Sequence, residues 1–202
     1  MNPPDPSPAA PDSPTGMKLH MGIAEQGKLY ALQGNHKMAL QYYRVAMHMA
    51  VQAGDPEVFF RHYLECVIES LEQTESYAEV LEYCDRVIDH YRQNPPPNPL
   101  ATMDLAHVYQ RKGINLFKSG DRDAAVLALQ EAMKIAGTVG KVTSKTMPLT
   151  QMLLQWLRSN LHVDKQRLLS EQHRQQYFSV RKDSVDPTLA VKLPDESLTS
   201  KF

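Results

Sequence analysis

Residues 27–46 read GKLYALQGNHKMALQYYRVA. The same skeleton returns in residues 113–132, which read GINLFKSGDRDAAVLALQEA. Small residues occupy matching places in the two stretches: Gly27 and Gly113, Gly34 and Gly120, Ala39 and Ala125, and Ala46 and Ala132. Large side chains match as well: Tyr30 and Tyr43 correspond to Leu116 and Leu129. This shared register predicts one structural unit that the chain uses more than once.

Each stretch is predicted to form two helices that pack side by side and are joined by a tight turn. Gly27 and Ala39 are expected where the two helices approach most closely, because a larger side chain there would hold them apart. Gly34 supplies the left-handed backbone that the turn requires. Tyr43 is expected to fill the groove between the helices, and Ala46 to leave room for the first helix of the following pair.

This pattern resembles the tetratricopeptide repeat, a helix pair with a usual period of 34 residues. A weaker middle copy fits at residues 68–87, where Ile68, Val80 and Val87 replace the small residues. The copies begin 41 and 45 residues apart, so longer helices are expected than in the usual repeat. The resemblance covers residues 20–140. It implies a solenoid of antiparallel helix pairs with a concave surface that binds other proteins.

The breakers between the apolar segments predict six helices in this region, over residues 18–33, 36–53, 56–73, 77–93, 99–118 and 122–136. Capping chemistry supports their ends. Gly54 is expected in the left-handed region, with Asp55 and Pro56 opening the third helix. Ser76 and Glu79 have the spacing of a capping box.

A seventh helix is predicted after Pro148. Its apolar stripe consists of Leu149, Met152, Leu153, Trp156, Leu157 and Leu161. Because a helical array exposes an apolar face at each end, we expect this stripe to pack on helix 122–136 and cap the third repeat. The alternative is a stripe that binds a partner. Residues 164–179 predict an eighth, polar helix.

The fold class is therefore predicted as all-α, an antiparallel helix-pair solenoid with a C-terminal capping helix and disordered tails. The expected organisation has five parts. Residues 1–16 form a proline-rich disordered leader, since they lack large apolar side chains. Residues 17–140 hold three helix pairs, residues 141–162 the capping helix, residues 163–182 a basic polar helix, and residues 183–202 a flexible tail.

Composition gives no reason to expect a membrane or nucleic-acid protein. The formal net charge of the 202 residues is −1, and no apolar run approaches the roughly 18 residues needed to cross a bilayer. The N-terminus lacks the basic and apolar regions of a secretory signal. Cys66 and Cys84 are expected as reduced, packed thiols rather than a disulfide. These features favour a cytoplasmic protein.

Charge is distributed unevenly along the chain. Residues 57–89 hold nine acidic residues against Arg61 and Arg86, whereas residues 141–182 hold eight basic residues against Asp164 and Glu171. The acidic region belongs to the second repeat, so a basic or amphipathic partner segment is the expected ligand. The basic region offers two further interpretations. It either folds back or pairs with a second copy of the chain, or it is simply a solvated helix.

The sequence contains no motif for catalysis or for a cofactor. Phosphate-binding loops, dinucleotide fingerprints, nucleophile elbows and paired-cysteine motifs are all missing. His62, Glu65 and Glu69 share a helix face, but among eight histidines such a triplet is expected by chance, so no metal site is predicted. We expect a protein that is not an enzyme and binds no cofactor.

The resemblance implies that the first helix of each pair lines the concave surface. The partner-binding residues predicted in this way are Lys28, Leu32, His62, Glu65, Glu69, Glu72, Gln73, His107, Gln110, Ile114, Phe117 and Lys118. Glutamates make the centre of this surface acidic, and Ile114 and Phe117 give it an apolar edge. The carboxylate clamp of the chaperone-binding members of the family is mostly missing, so their function is not transferred.

Three functions follow, in order of preference. The first is a non-enzymatic adaptor or scaffold that binds a segment of an unidentified protein in the acidic groove. The alternative is a secretion or assembly chaperone for one client, since ten methionines suit an adaptable apolar surface. A nucleic-acid binder is the weakest, because the basic helix has only Tyr177 and Phe178 for stacking on bases.

Overall fold

Eight α-helices account for most of the residues that the structure describes. A computed structural model describes residues 18–159 and 162–194. The helices are α1 (Leu19–Leu32), α2 (His36–Gln52), α3 (Glu57–Gln73), α4 (Tyr77–Gln93), α5 (Pro99–Ser119), α6 (Arg122–Val139), α7 (Pro148–Arg158) and α8 (Lys165–Arg174). Two short 3-10 turns follow, at Lys182–Ser184 and Pro187–Leu189. These ranges contain no strand, which confirms an all-α fold for them. The predicted leader, residues 1–16, lies outside them.

Helices α1, α2 and α5 end just before the glycines that were predicted to terminate them. Gly34, Gly54 and Gly120 have φ angles of 78°, 64° and 101°, which are left-handed values that favour glycine. Asp121 accepts a hydrogen bond from the Ala124 N–H at 3.0 Å and so caps α6. Among the described residues, no helix is long and apolar enough to cross a membrane.

Three local predictions were wrong. The Ser76 side chain accepts no capping hydrogen bond at the start of α4, and its hydroxyl lies 3.3 Å from that of Thr74 instead. The Asp55 carboxylate is 2.7 Å from His20 Nε2 and also contacts Lys18, and α3 begins only at Glu57. Helix α8 ends at Arg174 rather than at residue 179, because the chain turns away through Gln176, whose φ angle is 54°.

The chain divides into two compact units. Among the described residues, the first consists of residues 18–67 and 180–194, and the second of the described part of Ile68–Ser179. Helix α3 contributes residues to both. Of the predicted flexible tail, residues 183–202, the part up to Pro194 belongs to the first unit as short turns and an extended segment, and residues 195–202 lie outside the described residues.

The first unit is built on the packing of α1 against α2. Gly27 allows this contact, because a Cβ added there would lie 2.7 Å from Tyr43 Cε1 and 3.1 Å from Tyr42 Cβ. The core around it contains Ile23, Ala24, Tyr42, Ala46, Ala50 and Tyr63. Ala46 of α2 and Tyr63 of α3 share this cluster, which matches the expectation that Ala46 leaves room for the next helix.

In the second unit, α5 packs against α6 with a similar contact at a glycine. A Cβ on Gly113 would lie 2.6 Å from Leu129 Cγ, and Leu129 occupies the register position of Tyr43. Helix α7 packs against α6 through the apolar stripe from Leu149 to Leu157, as predicted, whereas Leu161 of the predicted stripe lies outside the described residues. The resulting core comprises Ile114, Leu129, Leu149, Leu153, Leu154, Trp156, Leu157, Val163 and Leu168.

We predict that Gly113→Ala lowers the free energy of unfolding by about 1–3 kcal/mol, because the added methyl group overlaps Leu129 inside the helix pair. The matched control is Gly137→Ala in α6. There the nearest atom outside the helix, Val142 Cγ2, is at an ordinary contact distance of 3.4 Å. That control is expected to stabilise the helix by up to about 1 kcal/mol. Urea unfolding followed by circular dichroism measures both values, and equal effects would contradict the packing role of Gly113.

Candidate functional site

The predicted partner-binding residues belong to different units. Lys28, Leu32, His62 and Glu65 lie in the first unit, and the other eight lie in the second. In the second set, the acidic residues Glu69 and Glu72 are both buried, and each accepts several hydrogen bonds.

Glu72 lies in the last turn of α3 and is 1% exposed. Its Oε1 atom accepts hydrogen bonds from Lys118 Nζ and Gln172 Nε2, both at 2.7 Å. Its Oε2 atom accepts from the Tyr177 hydroxyl at 2.9 Å and from Asn115 Nδ2 at 3.2 Å. One carboxylate thus joins the end of α3 to α5, to α8 and to the segment after α8.

The surroundings of Glu72 favour its ionised form. Burial alone raises the pKa of this carboxyl, but the charges of Lys118 and Arg111 and the hydrogen bonds from Lys118 and Gln172 outweigh burial and lower the pKa. Burial also raises the pKa of the Tyr177 phenol well above its ordinary value, and the Glu72 charge raises it further. The phenol therefore remains protonated and donates to the carboxylate.

Glu69, one turn earlier in α3, binds the backbone of the same C-terminal segment. Its Oε1 atom accepts from both the N–H and the hydroxyl of Ser179, each at 2.5 Å. Glu69 is 3% exposed. A carboxylate that accepts a main-chain N–H recognises a polypeptide as such, whatever side chain that residue carries.

The turn after α8 brings Tyr177 and Ser179 to these glutamates. The Tyr177 N–H donates to the Gln172 carbonyl at 2.9 Å and the Gln176 N–H to the His173 carbonyl at 3.1 Å. With Gln176 in the left-handed region, this is a Schellman helix end. The Arg111 guanidinium lies 5.6 Å from the centre of the Tyr177 ring and its Nε is 3.3 Å from the hydroxyl.

Helix α8 is attached to the rest of the second unit along one face. Leu168 and Gln172 are fully buried. Lys165 pairs with Glu75 at 3.1 Å and lies 5.2 Å from the centre of the Tyr77 ring. The Arg167 guanidinium lies 4.5 Å from the Trp156 ring centre. These contacts belong to a packed helix, so the interpretation of this region as a simply solvated helix is wrong.

Four other predicted residues of the second unit lie in or beside its core. Ile114 is fully buried and Phe117 packs on the same cluster, which α7 and α8 cover. Gln110 Nε2 donates to the Thr150 hydroxyl at 2.6 Å. The predicted apolar groove edge is therefore interior, because the stripe of α7 extends over it. Lys118 is the ion-pair partner of Glu72. Gln73 is half-buried and His107 is exposed.

In the first unit, Lys28 is buried and pairs with Glu25 at 3.2 Å. Leu32 and Glu65 are half-buried. His62 lies with its Nε2 4.0 Å from the Cys66 sulfur. Burial and the Lys28 charge lower the pKa of His62, whereas Glu65 raises it. Within the described ranges, no three His, Cys, Asp or Glu side chains gather as metal ligands.

Four of the groups that hold the acidic residues are not among the residues predicted from the sequence: Asn115, Gln172, Tyr177 and Ser179. The sequence contains one feature that indicates burial of Gln172. This residue follows Leu168 by four residues and so shares its apolar face of α8, and a polar side chain on a buried face requires a hydrogen-bond partner. Nothing in the local pattern indicates which residue that partner is.

Comparison of the chain with protein-family models, with curated proteins and with solved structures gave no match in any of the three. The likeness to tetratricopeptide repeats therefore rests on the residues of this chain and stays a prediction. The described geometry offers carboxylate acceptors that bind N–H and O–H donors of a polypeptide.

We predict that Glu72→Gln lowers the free energy of unfolding at neutral pH by about 3–5 kcal/mol, since it leaves the buried Lys118 ammonium without its counter-charge. Because the folded-state pKa of Glu72 lies below the ordinary value of 4.5, this stabilisation is complete above that pH and is lost as the pH falls through the folded-state pKa. The gap between wild type and variant should therefore narrow below pH 4.5.

Urea titrations at several pH values measure this gap. Glu79→Gln, on the exposed side of α4, is the control and should change stability by less than about 0.5 kcal/mol. A gap between wild type and Glu72→Gln that stays constant from neutral to acidic pH would contradict the electrostatic account.

Proposed function

We propose that this protein is a non-enzymatic adaptor that binds a basic or amphipathic segment of another protein at the acidic end of α3. The observation that carries the proposal lies within the second unit. There Glu69 and Glu72, two residues predicted to bind a partner, accept hydrogen bonds from residues 172–179 of the same chain. The acidic site thus already binds a polypeptide segment.

The composition of this segment matches the expected partner. Residues 172–182 read QHRQQYFSVRK and contain three permanently basic side chains, one histidine and two aromatic rings. The segment is therefore both basic and amphipathic. Its recognition combines a main-chain N–H, two hydroxyl groups and an amide. Any partner segment that presents the same donors at the same spacing satisfies the two glutamates equally well.

The electrostatics favour binding over catalysis. A general acid or base requires a pKa near the working pH, whereas the pKa of Glu72 is lowered from its ordinary value. An ionised carboxylate at neutral pH acts as a permanent acceptor. Its donors Lys118 and Asn115 come from α5, so these two hold the carboxylate in place while the C-terminal segment supplies the rest.

A peptide experiment tests the proposal. The protein is the full chain carrying Tyr177→Phe and Ser179→Ala, which removes two hydroxyl donors of its own segment and leaves both glutamates intact. The probe is a fluorescent peptide of residues 172–182, read by anisotropy. We expect it to bind at least about tenfold more tightly to this variant than to wild type, because the wild-type site is already occupied.

Two controls define the outcome. A chain with Tyr91→Phe and Ser159→Ala removes the same atoms elsewhere in the second unit and should behave as wild type. A peptide with glutamate at positions 173, 174, 181 and 182 should bind at least about tenfold more weakly at low salt, with the difference shrinking as salt rises. Equal binding of the basic and acidic peptides would reject the proposed specificity.

A further inference from the structure

A second segment of the chain is docked within the first unit. The segment Pro187–Leu193 begins with the last 3-10 turn and lies on α1 and α2. The Val191 N–H donates to the Gly22 carbonyl at 2.9 Å, and the Leu193 N–H donates to the Tyr42 hydroxyl at 3.1 Å. Two N–H groups two residues apart thus point toward the helices, as alternate residues of an extended chain do.

The side chains of this segment alternate in the same way. Val191 and Leu193 are half-buried and pack against the core cluster of α1, α2 and α3, whereas Lys192 between them is exposed. The surface therefore selects by apolar side chains at alternate positions and by main-chain hydrogen bonds. These are the two elements by which proteins recognise extended peptides.

The space next to the Gly22 Cα is filled by this segment and not by the partner helix of α1. A Cβ on Gly22 would lie 2.6 Å from Val191 Cγ2, 3.2 Å from Val191 Cβ and 2.8 Å from the Leu189 carbonyl oxygen. All three atoms belong to the docked segment. By contrast, a Cβ on Gly27 would meet side chains of α2. A glycine inside a helix is destabilising relative to alanine, so Gly22 lowers the stability of α1. In return, its missing side chain leaves room for the backbone of the segment.

We propose that the surface of α1 and α2 around Gly22 is a binding site for an extended partner segment with the pattern Val-x-Leu, and that the chain's own segment, anchored by Val191 and Leu193, is its resident occupant. The proposal rests on the adaptor function only in taking the partner to be a polypeptide. It uses neither Glu69 nor Glu72, so it stands or fails separately. The partner gains entry when the chain's own segment leaves the surface.

The resident segment and a partner segment compete for the same surface. A tethered segment has an effective concentration on the order of millimolar, so it occupies the surface ahead of a free peptide of equal intrinsic affinity. A partner binds when its pattern fits better or when the resident segment is weakened. Substitution of the two apolar anchors by aspartate weakens the resident segment while leaving the surface unchanged.

The test uses full-length chains and a labelled peptide of residues 186–194, DPTLAVKLP, as the probe. We expect Val191→Asp/Leu193→Asp to bind the peptide at least about tenfold more tightly than wild type. Adding Gly22→Ala to that variant should weaken binding at least about tenfold, because the methyl group overlaps the peptide backbone. Adding Gly137→Ala instead should have no effect.

Each alternative outcome overturns the proposal. Equal affinity in wild type and in the aspartate variant means that the resident segment does not occupy a binding site. Binding that is insensitive to Gly22→Ala, or to aspartate at positions 191 and 193 of the peptide, means that the peptide binds elsewhere. No binding to the aspartate variant means that the surface accepts the segment only in its own chain.

A second measurement does not depend on the aspartate variant. In the full chain, Gly22→Ala alone should increase the hydrogen-exchange rate of the Val191 amide at least about tenfold. The amides of α1 should keep or gain protection, because alanine favours the helix. Unchanged exchange at Val191 would show that Gly22 does not hold the segment.

Discussion

A carboxylate removed from water must find hydrogen-bond donors and a counter-charge, or it destabilises the fold by several kcal/mol. In the second unit, Glu72 meets this requirement with Lys118 and Asn115 from α5, Gln172 from α8 and Tyr177 beyond it. These donors come from three separate parts of the chain. Satisfying one buried charge therefore fixes where α8 and the following segment lie relative to α3 and α5.

Small residues set the second constraint, and it acts twice. Gly27 faces Tyr43 in the first unit, and Gly113 faces Leu129 in the second at the same register. In each pair a large side chain enters the space that the glycine leaves open. The C-terminal region contacts helices in both units. Residues 172–179 contact the acidic end of α3 in the second unit, and Leu189–Leu193 lie on α1 in the first. In each unit, the C-terminal region of the same chain thus packs on these helices.

The sequence predicted the helices well and the candidate site less well, for a physical reason. Helix positions follow from local breakers such as Gly34 and Gly120, whose left-handed backbones are visible as glycines in the sequence. The burial of Glu69 and Glu72 depends on Ser179 and Tyr177, more than 100 residues later. Glu69 and Glu72 share a helical spacing with His62 and Glu65 that suggests a solvated face. No periodicity in the sequence reveals a contact between distant segments. The prediction that Ile114 lies on a surface is wrong because the contact of α7 with α5 is likewise non-local.

Native-state hydrogen exchange in wild type and in Glu72→Gln tests the central claim most directly. If the Glu72 carboxylate holds the C-terminal segment, the amides of Gln172, Tyr177 and Ser179 should lose at least about tenfold more protection than the amide of Leu129 in the α5–α6 core. Loss of protection to the same extent at all four amides, or at none of them, would contradict the account.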